Sequence, residues 1–415
     1  MFEDTPLRFP CVRLYHDSMN PAAPTLFPPL PVITLKIERR SSHPWIFQKM
    51  VEKPSARIAP GSVVDVVEKS GNWVARGFYN GHSRITLRVM TTDKDEAIDA
   101  AFFTRKIGAA VAFRRDLLQL DKVTNAYRVV HSEADSLSGL VIDRFGDTCV
   151  VEFYSAGMYK QRTAIMDALR THYPEAKFYY FAEEHVCKQE SFDCRSPAPP
   201  PPDVILEHGL RFRVAPGSNH KTGFFVDQRD NRELLSTFCG GKRVLDICCN
   251  TGGFGVYAKA RGGASEVVGL DLDEQALEMA KQNAKLNGAA IRYVQADLFA
   301  WLRDIIPNKE QRYDVVILDP AKLTRDREDV ETALKKYCDM NRLALQVVAP
   351  GGVFLTCSCT GLVSEADFLE SIRRAAWQAN RTLQIFKITG AGGDHPFLLH
   401  VPEGRYLKAV FCRVV

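Results

Sequence analysis

Apolar and polar positions recur along this chain with two different periods, and the period changes partway. From position 32 onward, short runs alternate apolar and polar residues at 32–37, 62–68, 73–78 and 85–89, punctuated by Pro60-Gly61, Ser70-Gly71 and Asn80-Gly81. Alternation bounded by turn residues predicts strands, and a succession of short ones predicts a small β-barrel. A helical spacing follows over 99–120, then a mixed stretch with a strand at 149–154 and a helix at 160–172. Beyond Ser196-Pro197-Ala198-Pro199-Pro200-Pro201-Pro202, a stiff linker or exposed loop, the pattern changes. Strands at 243–248, 266–271, 291–295, 315–319 and 352–356 now alternate with helices, one starting near 255 and one at 274–287. That alternation predicts a parallel sheet covered by helices on both faces.

The first 31 residues hold seven prolines and neither period, so they read as a leader. A chain of 415 residues is too long for one core. Four parts are expected: a Pro-rich leader at 1–31, a β-barrel at 32–103, a linker helix with an α+β middle domain at 104–205, and an α/β domain at 206–415.

Composition changes this picture little, but charge does. The net charge of +4 is unevenly spread: positions 32–90 carry ten Lys or Arg against four acids, a local +6, which leaves −2 elsewhere. A basic module on a near-neutral body points to a polyanion partner, although a merely solvated surface would look the same. None of the eleven cysteines has the paired spacing of a zinc site, and their odd number fits reduced thiols in the cytoplasm. No apolar stretch is long enough to span a bilayer, so no membrane is expected.

Candidate chemistry lies at the strand ends, where open α/β sheets bind ligands. The first α/β strand runs into Asp246-Ile247-Cys248-Cys249-Asn250-Thr251-Gly252-Gly253-Phe254-Gly255. Glycines there let the backbone approach a ligand closely. Asp271 lies 25 positions after Asp246 at the next strand end, where a carboxylate can accept both hydroxyls of a ribose. Asp297 follows the third strand and can bond an adenine amine, although each acid alone could be a helix cap. Three acids suit an adenosine with a cationic tail better than a pyrophosphate, and Gly-x-Gly-x-x-Gly is absent. The expected cofactor is therefore S-adenosylmethionine (SAM) rather than a nicotinamide. The fourth strand ends in Asp319-Pro320-Ala321-Lys322, a turn that can hold a planar nitrogenous base through Asp319. Cys357 and Cys359 close the next strand at the same rim, where a thiol is either a buried packing residue or a nucleophile.

Several segments carry a family resemblance: Arg40-Ser41-Ser42-His43-Pro44-Trp45-Ile46-Phe47, Leu140-Val141-Ile142-Asp143-Arg144-Phe145-Gly146, His220-Lys221-Thr222-Gly223-Phe224-Phe225-Val226-Asp227-Gln228-Arg229, Asn250-Thr251-Gly252-Gly253-Phe254, Asp319-Pro320, Ser358-Cys359-Thr360-Gly361-Leu362 and Asp394-His395-Pro396. From about position 32 to the end, the chain resembles the PUA-domain-containing ribosomal RNA large subunit methyltransferase I family, which makes 5-methylcytosine in 23S rRNA. The resemblance implies a PUA barrel, an α+β middle domain, and a Rossmann-like class I methyltransferase domain with a mostly parallel seven-stranded sheet. It implies large-subunit ribosomal RNA as partner, Cys359 as nucleophile, and Asp319 as the group that stabilises charge on the base. It also implies a helix from 221 to 232 that closes over the donor, with Gln228 and Arg229 as candidates for its carboxylate, a plain surface ion pair being the alternative for Arg229. Phe224 and Phe225 are core or stack on an extruded base; Trp45 and Arg84 are candidates to read RNA shape, with a core position the alternative for Trp45. Ala321 stands where the family carries a second proline, which would loosen the base-binding turn, and basic residues expected at 183–190 are partly replaced.

The cysteine is what the proposed chemistry needs. Carbon 5 of cytosine is too electron-poor to take a methyl directly, so a thiolate adds to carbon 6 and leaves an enamine that is nucleophilic at carbon 5. The base that then removes the carbon 5 proton stays open, with water one option. An N2-guanine RNA methyltransferase would share the fold but need no thiol. A non-catalytic ribosome-assembly factor would have no use for Asp246, Asp271 and Asp319 together. A homodimer also stays open.

Overall fold

The computed structural model describes residues 29–217 and 223–415; most of the leader, and His220-Lys221-Thr222, lie outside them. Five strands, Val32–Thr34, Trp45–Phe47, Ser62–Val67, Trp73–Tyr79 and Ile85–Thr91, form the N-terminal sheet in the order first, third, fourth, fifth, second. A bridge between Leu35 and Val51 joins the two ends of that order, so the sheet curls around Ile33, Ile46, Val64, Val66 and Leu87. Trp45–Phe47 is too short for its alternation to stand out in sequence.

The helix Ala100–Ala112 starts where the Asp99 side chain accepts from Phe102 N at 2.9 Å, capping an otherwise orphan amide. With Arg162–His172 it covers one face of a four-stranded sheet, Ala126–His131, Leu140–Phe145, Thr148–Phe153 and Lys177–Phe181. The other face, through Phe145, Val150 and Tyr179, packs on Phe212, Phe224 and Tyr257 of the C-terminal domain. Thr148–Phe153 is therefore buried along its whole length and lacks the alternation of a half-exposed strand. A tight hairpin, Asp203–Glu207 and Leu210–Val214, turns at His208 and Gly209, both at positive φ.

The C-terminal sheet has seven strands: β1 (Arg243–Ile247), β2 (Glu266–Asp271), β3 (Arg292–Gln295), β4 (Tyr313–Leu318), β5 (Val348–Ser358), β6 (Leu383–Thr389) and β7 (Lys408–Val414). Their order is β3-β2-β1-β4-β5-β7-β6, parallel except for β7, which runs against both neighbours. Strand order reverses between β1 and β4, which opens a crevice beyond their C-terminal ends. The helix expected from position 221 starts later: a 3-10 turn at Val226–Gln228 leads into Arg229–Ser236. Among the described residues no helix is long and apolar enough to cross a membrane, and no cluster could hold a metal ion.

Candidate active site

The loop after β1 is folded by left-handed residues, with Cys248 at φ 63°, Asn250 at 47° and Gly252 at 81°. A Cβ on Gly252 would lie 2.6 Å from the Tyr293 hydroxyl, so only glycine fits there. The fold-back aims backbone amides at carboxylates. Asn250 N donates to Asp271 Oδ2 at 2.8 Å and Gly255 N to Asp246 Oδ2 at 2.9 Å, while Asn283 Nδ2 holds Thr251 O at 2.9 Å. Gly253 and Phe254 open the following helix, with Phe254 buried.

Asp246 is buried, and its Oδ1 has no protein partner. Burial, with Asp319 and Asp271 nearby, pushes its carboxyl up to about 8. Once ionised, a buried carboxylate of this kind calls for a cation or a donor, and the ammonium and sulfonium of an adenosylated methionine supply both. Asp271 accepts from Asn250 N and Asp273 N, each on a different oxygen, which fixes the carboxylate and leaves lone pairs for diol hydroxyls. Leu272 beside it is 67% exposed, an apolar side chain standing in solvent at a strand end, which sequence reasoning missed. Asp297 is exposed and caps Leu298–Ile305 through Ala300 N at 3.0 Å. The residues present therefore fit SAM.

Across the switch point, Asp319 follows β4 and accepts from Gln228 Nε2 at 3.1 Å. Gln228 is itself held by Asn231 Nδ2 at 2.7 Å. The loop after β5 brings Cys359 Sγ to 3.9 Å from Pro320 O, beside Asp319. The two cysteines differ. Cys359 is half-buried, while Cys357 is sealed in the core and burial, with Asp319, pushes its thiol well up. Ser358 Oγ donates to Tyr337 Oη at 2.9 Å, Tyr337 Oη lies 2.8 Å from Thr360 Oγ1, and Leu323 N donates to that same Oγ1 at 3.2 Å. Thr360 thus pins the Asp-Pro-Ala-Lys turn to the cysteine loop and supplies stiffness where the second proline is missing.

Arg229 stands elsewhere than its expected donor-carboxylate role requires. Its guanidinium is buried and donates to Asp394 Oδ1 at 2.8 Å. Asp394 also accepts from Arg128 N at 2.9 Å, and its carbonyl from Arg114 at 2.9 Å, so this knot joins the middle domain to the site wall. Burial alone would raise the Asp394 carboxyl, but His395 and Arg229 hold it well below the usual carboxylate range. Phe224 is core, 5.1 Å from the Phe212 ring. Trp45 Nε1 donates to Glu133 Oε1 at 2.8 Å, tying the barrel to the middle domain, whereas Arg84 is exposed on the wall of a cavity of ≈ 650 Å³ between them.

A Rossmann-like sheet with acids at its donor-side strand ends and a curled basic sheet before it define a methyltransferase joined to a PUA-like module. Residues 186–384 match the S-adenosylmethionine-dependent methyltransferase family and residues 38–92 a PUA-like domain. The chain belongs to the ribosomal RNA large subunit methyltransferase I family: it is 41% identical over 379 residues to that enzyme of Aeromonas salmonicida, covering 89% of this chain and 95% of the relative. With the Escherichia coli enzyme it shares 39% over 381 residues, covering 90% and 96%. Among solved structures, a chain described as a methyltransferase complexed with S-adenosylhomocysteine superposes with a TM-score of 0.78 at 20% identity, covering 92% of this chain and 99% of that one. The cofactor is SAM.

Proposed function

We propose that this enzyme methylates carbon 5 of a cytosine in large-subunit ribosomal RNA through a covalent bond from Cys359 to carbon 6. One observation carries the reading: the half-buried Cys359 thiol faces Pro320 O at 3.9 Å, next to Asp319, at the crevice where β1 and β4 diverge. Bound SAM supplies an electrophilic methyl. Asp246 would hold its charged tail, Asp271 its ribose and Asp297 its adenine amine, and exposed Leu272 would offer the adenine an apolar contact. The loop at Asn250, Thr251, Gly252 and Gly253, with Phe254 behind it, sets the distance. Arg229 acts through Asp394 to hold the wall on which Gln228 stands.

One Asp319 oxygen accepts from the cytosine amine and the other, when protonated, donates to ring nitrogen 3, which draws electrons from the ring as the Cys359 thiolate adds to carbon 6. The electron pair of the 5,6 double bond moves to carbon 5, which takes the methyl. Transfer of the carbon 5 proton to a base, for which a water suffices, then lets the Cys359–carbon 6 bond break, with the thiolate as leaving group. The +6 barrel and exposed Arg84 bind the RNA backbone.

Methyl transfer from labelled SAM to ribosomal RNA tests this, with Cys359→Ser and Cys357→Ser assayed separately. Cys359→Ser is expected to lose at least about a thousandfold in rate with donor binding intact, and Cys357→Ser to stay within about threefold. Retained transfer in Cys359→Ser would refute the covalent mechanism and favour attack by an exocyclic amine. Failure to bind SAM by calorimetry would leave only an RNA-binding role.

A further inference from the structure

Within the apolar strand β7, Lys408 points inward. It pairs in register with Ser358, the residue before the nucleophile of the proposed reaction, and is 2% exposed. Its Nζ donates to Thr360 O at 2.8 Å, to Val363 O at 2.8 Å and to Tyr406 O at 2.9 Å. Two of these carbonyls bracket the turn that follows Cys359. Three acceptors need three N–H donors, which an ammonium has and a neutral amine lacks. Burial pushes this ammonium down to about 8, and Cys359 and Glu365 favour its charge against Arg405 and Lys322, so at neutral pH it remains a cation.

A buried cation costs free energy unless it does something for its neighbours. The titratable groups around Cys359 include Asp319, Cys357, Tyr337 and Tyr406, with Asp227 behind them accepting from Tyr406 Oη at 2.5 Å. Burial holds Cys357 and the two tyrosines in their neutral forms. A negative charge on Asp319 disfavours ionisation of a neighbouring thiol, an effect that positive charge nearby offsets. Lys322 and Arg405 lie in the same region, and Arg128 faces Tyr406 from the middle domain.

We propose that Lys408 is a positioning residue that clamps the Cys359 turn through its backbone carbonyls and, as a buried ammonium beside the thiol, favours the thiolate. The inference rests on the covalent reading above, but its physical content can be tested without RNA. Iodoacetamide alkylation of Cys359, followed peptide by peptide in the mass spectrometer, gives the midpoint of thiol ionisation in the full-length protein.

In Lys408→Met and Lys408→Gln that midpoint is expected to rise by about one pH unit, so alkylation at neutral pH slows roughly tenfold. Arg405→Met should leave it in place, because Arg405 is exposed and paired with Glu365. A clamp without electrostatic effect would instead leave the midpoint unchanged in the folded variants, and that result overturns the proposal. Should neither Lys408 variant fold, the wild-type midpoint decides: it must lie below that of the same peptide in urea, and a midpoint at or above it sinks the idea. A lowered wild-type midpoint together with an active Cys359→Ser would refute covalent catalysis while leaving the Lys408 effect standing. An unshifted midpoint with an inactive Cys359→Ser would do the reverse.

Discussion

The two sides of the crevice are built in different ways. On the donor side, carboxylates are held by backbone amides close by in sequence, Gly255 N on Asp246 nine positions away and Asn250 N on Asp271 twenty-one away. On the base side, Asp319 is met by Gln228 from 91 positions away, the Cys359 turn by Lys408 from 48, and Arg229 by Asp394 from 165. The donor side is thus a local motif that any sheet of this order can carry. The base side is a tertiary assembly to which the middle domain contributes Arg114 and Arg128. On the reading proposed above, the donor meets a cradle fixed by nearby backbone, and the RNA base a wall that several parts of the chain build together.

If the comparison holds, damage on one side should leave the other intact. The largest effect is expected for Asp319→Asn, which keeps the shape of the turn and removes the carboxylate. Methyl transfer should fall by about a hundredfold or more while the SAM dissociation constant moves less than about threefold. Single-turnover kinetics and calorimetry on one preparation measure both. A tenfold loss of SAM affinity in this variant would mean that the two sides share one electrostatic unit, as the proximity of Asp319 to Asp246 allows.

Asp271→Ala should do the converse. Removing a carboxylate that accepts from Asn250 N and Asp273 N frees the loop and deletes acceptors for the ribose. SAM affinity is expected to weaken roughly tenfold to a hundredfold, with the rate at saturating donor largely kept. Loss of rate without loss of affinity would contradict the division of labour.

The same division explains what could be read from the residues alone. The strand-helix alternation of β1 to β4, the loop from Asn250 to Phe254, and Asp271 and Asp319 as strand-end acids all follow from local pattern. The antiparallel β7 and its partner β6 did not, because their buried and exposed positions answer to neighbours on both edges rather than to a period. The resemblance offers Arg229 as a candidate for the donor carboxylate, with a surface ion pair as the alternative, and in the structure Arg229 forms an ion pair that is buried. Its true partner, Asp394, belongs to a loop that only the completed fold brings close. Lys408 left one visible mark, a lone charge inside the run Leu407-Lys408-Ala409-Val410-Phe411-Cys412. A charged residue inside a buried strand demands partners, and here the partners turned out to be carbonyls of the cysteine turn.

The subtlest test concerns Asp246, whose carboxyl keeps its proton up to about 8 in the folded protein and loses it near 3.9 when unfolded. Between those values the native state binds more protons than the unfolded one, so this group's contribution to stability falls as pH rises. Glu152, pushed up to about 7 by burial, acts in the same direction, while His131, held well below its usual value by burial and by Arg128, acts oppositely at acid pH. Comparing wild type with Asp246→Asn cancels those terms. In urea unfolding of the donor-free protein, the stability difference between the two should shift in favour of Asp246→Asn as pH rises from about 5 to 8. A positive charge bound beside Asp246 favours the carboxylate, so SAM binding near pH 7 should release a proton, read as a dependence of the calorimetric enthalpy on the ionisation enthalpy of the buffer. Identical pH slopes and no proton release would mean that Asp246 is already ionised without its ligand, and the donor side would then be a solvated cradle rather than a dry one.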